Sequence, residues 1–260
     1  MFLNLLETIN LFLLHFNLHF PYFYGMKLFV IVLSSLCFSV ISHAQRGKRN
    51  TPATNPNESL IELNQRVYQS AMALNDFLTA IHASHALIAL NQENYRDTLA
   101  NLYYFTNSPA QTIEILTPLL KSEEKEARMD LMWRSHYALN DFPGALKWLE
   151  KLPRTAETFA MIADCQVKLQ REGEFQMTLN QFSSASEQLQ NTRIYVPGEE
   201  KAIKAKSYIG HLVAYSLAMK NKHEEALQIY HSIIGDDPDF QIATENAKAL
   251  QAILSSEKPE

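Results

Sequence analysis

His82 and His85 stand three residues apart in a stretch of helical period, a spacing that sets two imidazoles on one helix face, where they could hold a divalent metal. No third ligand is recognisable in the sequence, so the pair is assigned to surface or packing roles and no metal is expected. Asp236-Asp237-Pro238-Asp239 gathers three carboxylates but lacks the glycine and closing glutamate of a calcium loop, and it reads as a solvated turn. Cys165 shares an apolar helical pattern with Phe159, Ile162 and Ala163. It reads as a buried small hydrophobe, since no neighbour in sequence would depress its thiol pKa. The glycine-rich phosphate loop, the dinucleotide fingerprint, the H-E-x-x-H zinc motif and the G-x-S-x-G elbow are all absent, so neither a catalytic residue nor a cofactor is expected.

Composition points the same way. Seven glycines among 260 residues is under half the average usage of roughly 7%, poor material for phosphate-cradling loops or glycine-turned barrels. A formal net charge of -5 has the wrong sign for gripping a nucleic-acid backbone, so no nucleic-acid partner is expected.

From about residue 58 the elements are helices. Leu60, Leu63, Val67, Ala71 and Leu74 recur at three and four, and no comparable alternating stretch appears, which predicts an all-α domain. Internal comparison aligns the segments opening at Asn75, Asn107, Asn140 and Asn221. Taking the small residue as marker, Ala80, Thr112, Ala145 and a weaker copy at Thr178 follow at 32, 33 and 33, and Ala226 follows at 48, which implies an insertion of about 14 residues. Asn75-Asp76, Ser108-Pro109 and Asp141 before Pro143 pair a capping side chain with helix-start chemistry, so each marks the beginning of a second helix. Pro118 falls inside one of these and should kink or shorten it. The inserted residues Thr192 to Val196 read as an extended surface connection, or as a binding loop at a groove edge, leading into a long helix that starts near Glu199.

This pattern resembles the tetratricopeptide repeat family, a helix-turn-helix unit of about 34 residues. The last copy matches best, with Ala214, Leu217, Asn221, Ala226, Tyr230, Ile233 and Pro238 at the family's spacing. The fourth copy departs from it, carrying Gln166 where a small residue belongs. The resemblance implies a right-handed α-solenoid whose first helices line a concave groove. Equivalent groove positions here are Asp97, Asn101, Tyr104, Asp130, Arg134, Tyr137, His211 and Tyr215, where polar groups could clamp a peptide backbone or carboxylate and tyrosines supply flat apolar contact. Arg134 is the leading candidate among them.

The N-terminus reads separately. Met26 to Gln45 holds one lysine, an apolar run from Leu28 to Ile41 and the small residues Ser42 and Ala44, the signature of a secretory signal peptide cleaved after Ala44. Translation is then expected to begin at Met26, the alternative being an uncleaved membrane anchor over residues 1–44. Residues 45–57 read as a disordered linker, 58–190 as four repeats, 191–206 as the inserted loop and helix start, and 207–256 as the C-terminal repeat. The expectation is a non-catalytic scaffold in the periplasm that binds a protein or peptide. The alternatives are an envelope-assembly or polysaccharide-uptake component binding glycan or membrane machinery, and a hydrolase accessory whose groove holds a small ligand.

Overall fold

A computed structural model of the chain describes residues 56–256, so the N-terminal extension, the signal-peptide reading and nearly all of the linker lie outside the described residues. Twelve α-helices follow: α1 (Pro56–Ala73), α2 (Phe77–Ala89), α3 (Tyr95–Phe105), α4 (Pro109–Ser122), α5 (Glu126–Ala138), α6 (Phe142–Leu149), α7 (Ala156–Lys168), α8 (Glu172–Ser183), α9 (Glu187–Asn191), α10 (Ala205–Ala218), α11 (His223–Asp236) and α12 (Gln241–Ser256). Each packs mainly on its sequence neighbour, and α7 also packs on α10 across the insertion, which makes an α-solenoid of five helical hairpins closed by α12. None of these helices is long and apolar enough to cross a membrane.

The aligned asparagines explain why the hairpins repeat. Asn75, Asn107, Asn140, Gln170 and Asn221 all have φ between 55° and 60°, the left-handed region that asparagine tolerates better than most residues. At each, two backbone bonds close the end of the first helix: at Asn140, for example, its own N–H donates to the Tyr137 carbonyl and the next N–H, of Asp141, donates to that of His136. Asp76 and Asp141 then accept from the N–H groups of Thr79 and Gly144 and start the second helix. Ser108 occupies the same place without a side-chain cap, leaving Pro109 to set the start of α4. That helix runs on through Pro118 to Ser122, so the proline does not end it.

The marker residues Ala80, Thr112, Ala145 and Ala226 are buried five positions after their turns, and in the fourth hairpin that place is held by the buried Phe175, with Thr178 three residues further on.

The insertion differs from its sequence reading. Residues Arg193–Ile194 (β1) pair antiparallel with Ile203–Lys204 (β2), and α10 begins at Ala205 rather than near Glu199. Ile194, Val196 and Ile203 are buried in the same cluster as Phe159, Phe182 and Phe240, whereas Arg193 and Tyr195 face out. The segment is thus part of the core. Nor is the acidic turn freely solvated: Asp237 is buried and accepts the Lys204 N–H at 2.7 Å, Asp236 pairs with Lys204 and Lys206, and Asp239 pairs with Lys201. The Glu199 carboxylate receives the N–H groups of Gln241 and Ile242, at 3.3 and 2.7 Å, and so caps α12 from 42 residues away.

Candidate functional site

The expected groove residues lie on first helices: Asp97, Asn101 and Tyr104 on α3, Asp130, Arg134 and Tyr137 on α5, and His211 and Tyr215 on α10. On α3, Asn101 Nδ2 donates to the Asp97 carbonyl, and the Asp97 carboxylate takes two bonds from Arg128 of α5, at 2.7 and 2.9 Å. Those bonds hold its carboxyl below the usual carboxylate range. Tyr104 packs beside Phe105. Among the described residues no hydrogen bond joins this trio to Asp130, Arg134 or Tyr137.

Arg134 is already engaged. Its Nε donates to Asp130 at 2.8 Å, a second nitrogen reaches Glu157 of α7 at 2.9 Å, and the guanidinium lies over the Trp133 ring, 4.4 Å from its centre. Trp133 Nε1 also donates to Asp130. A cation shared by two carboxylates is not poised to take a third, so Arg134 serves to tie α5 to α7.

The densest polar contacts surround a residue absent from the expected set. Asp164 on α7 is buried and accepts from the Tyr137 hydroxyl and from Lys168, both at 2.6 Å. Burial and this carboxylate together push the Tyr137 hydroxyl pKa well above its ordinary value. Tyr137 is therefore held as a donor and is not a free contact. His211 sits among the rings of Tyr208, Tyr215, Tyr230 and Phe240, with Nδ1 3.1 Å from the Tyr230 hydroxyl. Burial brings its pKa down to about 4, so the ring is neutral at physiological pH. Tyr215, 44% exposed, is the aromatic of this group open to solvent, and Asn101 is likewise exposed on α3.

Counted back from the left-handed residues Asn107, Asn140, Gln170 and Asn221, the position of Asn101, Arg134 and Tyr215 is held in α7 by Asp164, and Lys168 stands only two residues before its turn. The step from Asn140 to Gln170 is 30 residues against 32 and 33 for the two before it, so a fixed period does not find Asp164.

The other chemical candidates are occupied or buried. His85 Nε2 lies 2.8 Å from the Tyr103 hydroxyl, and no three metal-ligating side chains converge among the described residues. Cys165 is buried, and its thiol is pushed up to about 12, first by burial and then by the adjacent Asp164.

No family model and no curated protein matches the chain. Solved structures do. A tetratricopeptide repeat protein from Parabacteroides merdae superposes with a TM-score of 0.57 at 15% identity, covering 76% of this chain and 73% of its own. YrrB, described as a TPR protein with an unusual peptide-binding site, superposes at 0.53 and 17% identity, covering 75% of this chain and 98% of its own. The chain has the helical-repeat fold of tetratricopeptide repeat proteins.

Proposed function

We propose that this chain is a non-catalytic scaffold that binds a protein or peptide through the face of its first helices, and that it works after export in a bacterial cell envelope. The observation that carries the binding reading is the register of Asn101, Arg134 and Tyr215, each six residues before the left-handed residue that ends its first helix, with Asp164 at the same place in α7, which makes a row of polar and aromatic groups on four successive first helices. A row of that kind suits an extended chain, whose own groups also recur at a fixed rise. The similarly folded YrrB has a peptide-binding site, which is consistent with this reading. Within the row, Arg134 and Asp164 act as struts between α5 and α7, and the exposed Asn101 and Tyr215 make the contacts. Export rests on the signal-like residues 26–44 alone.

The test is affinity capture from envelope extract with the wild-type chain and with an Asn101→Ala, Tyr215→Ala double variant. Both side chains are exposed, so the fold should survive. Loss of a specific partner by tenfold or more is expected, and unchanged recovery would remove the proposed face. N-terminal sequencing of the secreted protein checks export: the mature chain should begin at Gln45.

A further inference from the structure

We infer that a second site lies between the second helices α4 and α6, and that it takes an acidic peptide, a short segment in which carboxylates flank an apolar side chain. It uses none of the residues of the first-helix face and does not rest on that reading. The site starts from two lysines that the repeat does not supply. Lys147 and Lys151 stand seven and eleven positions after the left-handed Asn140. Counted from the other four hairpin turns, the first place holds His82, Glu114, Met177 and Gln228, and the second holds Ala86, Pro118, Gln181 and Ser232. No other hairpin carries a lysine or an arginine at either place, so the stacking of the repeats does not require them. Both ammonium groups lie over the ring of the half-buried Trp148, 5.5 and 4.9 Å from its centre. Like charges four residues apart repel, and an anion brought between them relieves the repulsion.

These side chains share a cavity of about 570 Å³ with Lys121 of α4, and Ile113, Leu120 and Met132 make its apolar wall. Two carboxylates also reach the cavity, but both are taken. Glu124 pairs with Lys151, and Glu123 pairs with Lys125 at 3.0 Å and with Arg128 at 3.7 Å. Lys121 and Lys147 have no carboxylate partner among the described residues. A chain of formal net charge -5 thus sets two unpaired cations beside an apolar wall. The ligand follows from that pattern. A cation would meet three lysines. Phosphate would find point charges without a guanidinium fork to hold it, and would gain nothing from Ile113, Leu120 and Met132. Carboxylates on either side of an apolar residue satisfy Lys121 and Lys147, while the apolar residue covers the wall and the open part of Trp148. The lysines then select the partner and speed its encounter, and the wall adds affinity.

The experiment is an NMR titration of the full chain with a capped Glu-Leu-Glu tripeptide, with capped Gln-Leu-Gln, inorganic phosphate and phosphatidylglycerol vesicles as the competing probes. The Trp148 indole signal, identified by its loss in Trp148→Phe, should shift saturably with Glu-Leu-Glu. Gln-Leu-Gln should bind about fivefold more weakly, and phosphate and vesicles should not saturate the signal. A Lys121→Gln, Lys147→Gln double variant should lose about fivefold in affinity, and Lys147→Arg, which keeps the charge, should retain it. Both lysines are exposed, so the double variant should fold; should it not, each single variant gives the same reading at about twofold. Raising the salt from about 0.05 to about 0.5 M should weaken binding to the wild type and leave the double variant nearly unmoved. No saturation, equal affinity for Gln-Leu-Gln, tighter binding of phosphate or vesicles, or affinity unchanged in the double variant would overturn the proposal. The Asn101→Ala, Tyr215→Ala variant should bind the tripeptide as the wild type does, so failure here and failure of the first-helix reading are told apart.

Discussion

The two ends of the array bury their surfaces in different ways. At the C-terminal end, α12 lays Ala243, Ala247 and Leu250 against the last hairpin, and the β1–β2 insertion adds Ile194, Val196 and Ile203 to the same core. At the start of the array, Leu60, Leu63, Val67, Leu74 and Leu78 are exposed, and Ala71 is the one buried residue of α1. Both ends face the problem that a hairpin cannot hide its stacking ridge alone. The C-terminal end solves it with an amphipathic cap pinned by Glu199 and Asp237. Among the described residues the first hairpin packs on one neighbour, so within them local opening should begin there and stop short of the inserted segment.

The largest expected effect tests that contrast directly. Phe240 is fully buried between the rings of Tyr208 and His211, and Phe240→Ala should cost about 3–5 kcal/mol. Leu63→Ala on exposed α1 should stay within about 0.5 kcal/mol. Equal losses in urea titrations of the two variants would dissolve the difference between the ends.

Next in size is a pH effect confined to the C-terminal half. His211 is neutral when folded down to about pH 4 but takes up a proton near 6.5 when unfolded, so between those values the unfolded chain binds more protons. Stability should therefore fall as the pH drops from 6.5 towards 4, by roughly 3 kcal/mol at the limit. Asp164 opposes this shift and Lys168 reinforces it, while Tyr208, Tyr215 and Tyr230 wall the ring in. In His211→Phe the drop across this window should flatten, measured by urea unfolding at a series of pH values. A slope that persists would assign it to other groups.

Smaller still, Asp237→Ala removes the acceptor of the Lys204 N–H and should cost about 1–3 kcal/mol. Glu199→Ala uncaps α12 for about 1 kcal/mol. Hydrogen exchange at Gln241 and Ile242 should speed up in the Glu199 variant and stay unchanged in α1 and α2. Faster exchange everywhere would mean that the insertion holds up the whole array and not one end of it.

What could be read in advance divides along the same line. Hairpin boundaries were visible because their causes are local: a left-handed asparagine, in two hairpins a capping aspartate directly after it, and a small residue five positions after the asparagine. The role of the insertion was not, because Asp237 meets Lys204 across 33 residues and Glu199 meets Ile242 across 43, and no local signal encodes either meeting. The candidate face shows the same limit. Its register was legible from the period in α3, α5 and α10 but not in α7, and the pairing of Arg134 with Glu157 and of Tyr137 with Asp164 depends on how closely α5 approaches α7. Sequence put Arg134 first among the groove candidates, and in the structure it is paired with Asp130 and Glu157.

The smallest predicted effect lies at the joint between the two regions. Gln170 turns α7 into α8 at φ 56°, where the four equivalent turns use asparagine. Left-handed backbone costs an ordinary L-residue about 1–2 kcal/mol, and glycine escapes that strain but loses about 0.5–1 kcal/mol of chain entropy on folding. The difference favours Gln170→Gly by about 0.5 kcal/mol, a rise in Tm of about 1–2 °C for a domain of this size. Gln176→Gly, at an exposed position inside α8, meets only the entropic cost and should lower stability by about 1 kcal/mol. Opposite signs for two glutamine-to-glycine changes six residues apart would tie the gain to backbone geometry at the turn. Two losses would mean that the Gln170 side chain contributes more to this joint than its strain takes away, and the fourth hairpin would then be held by contacts that the other four do without.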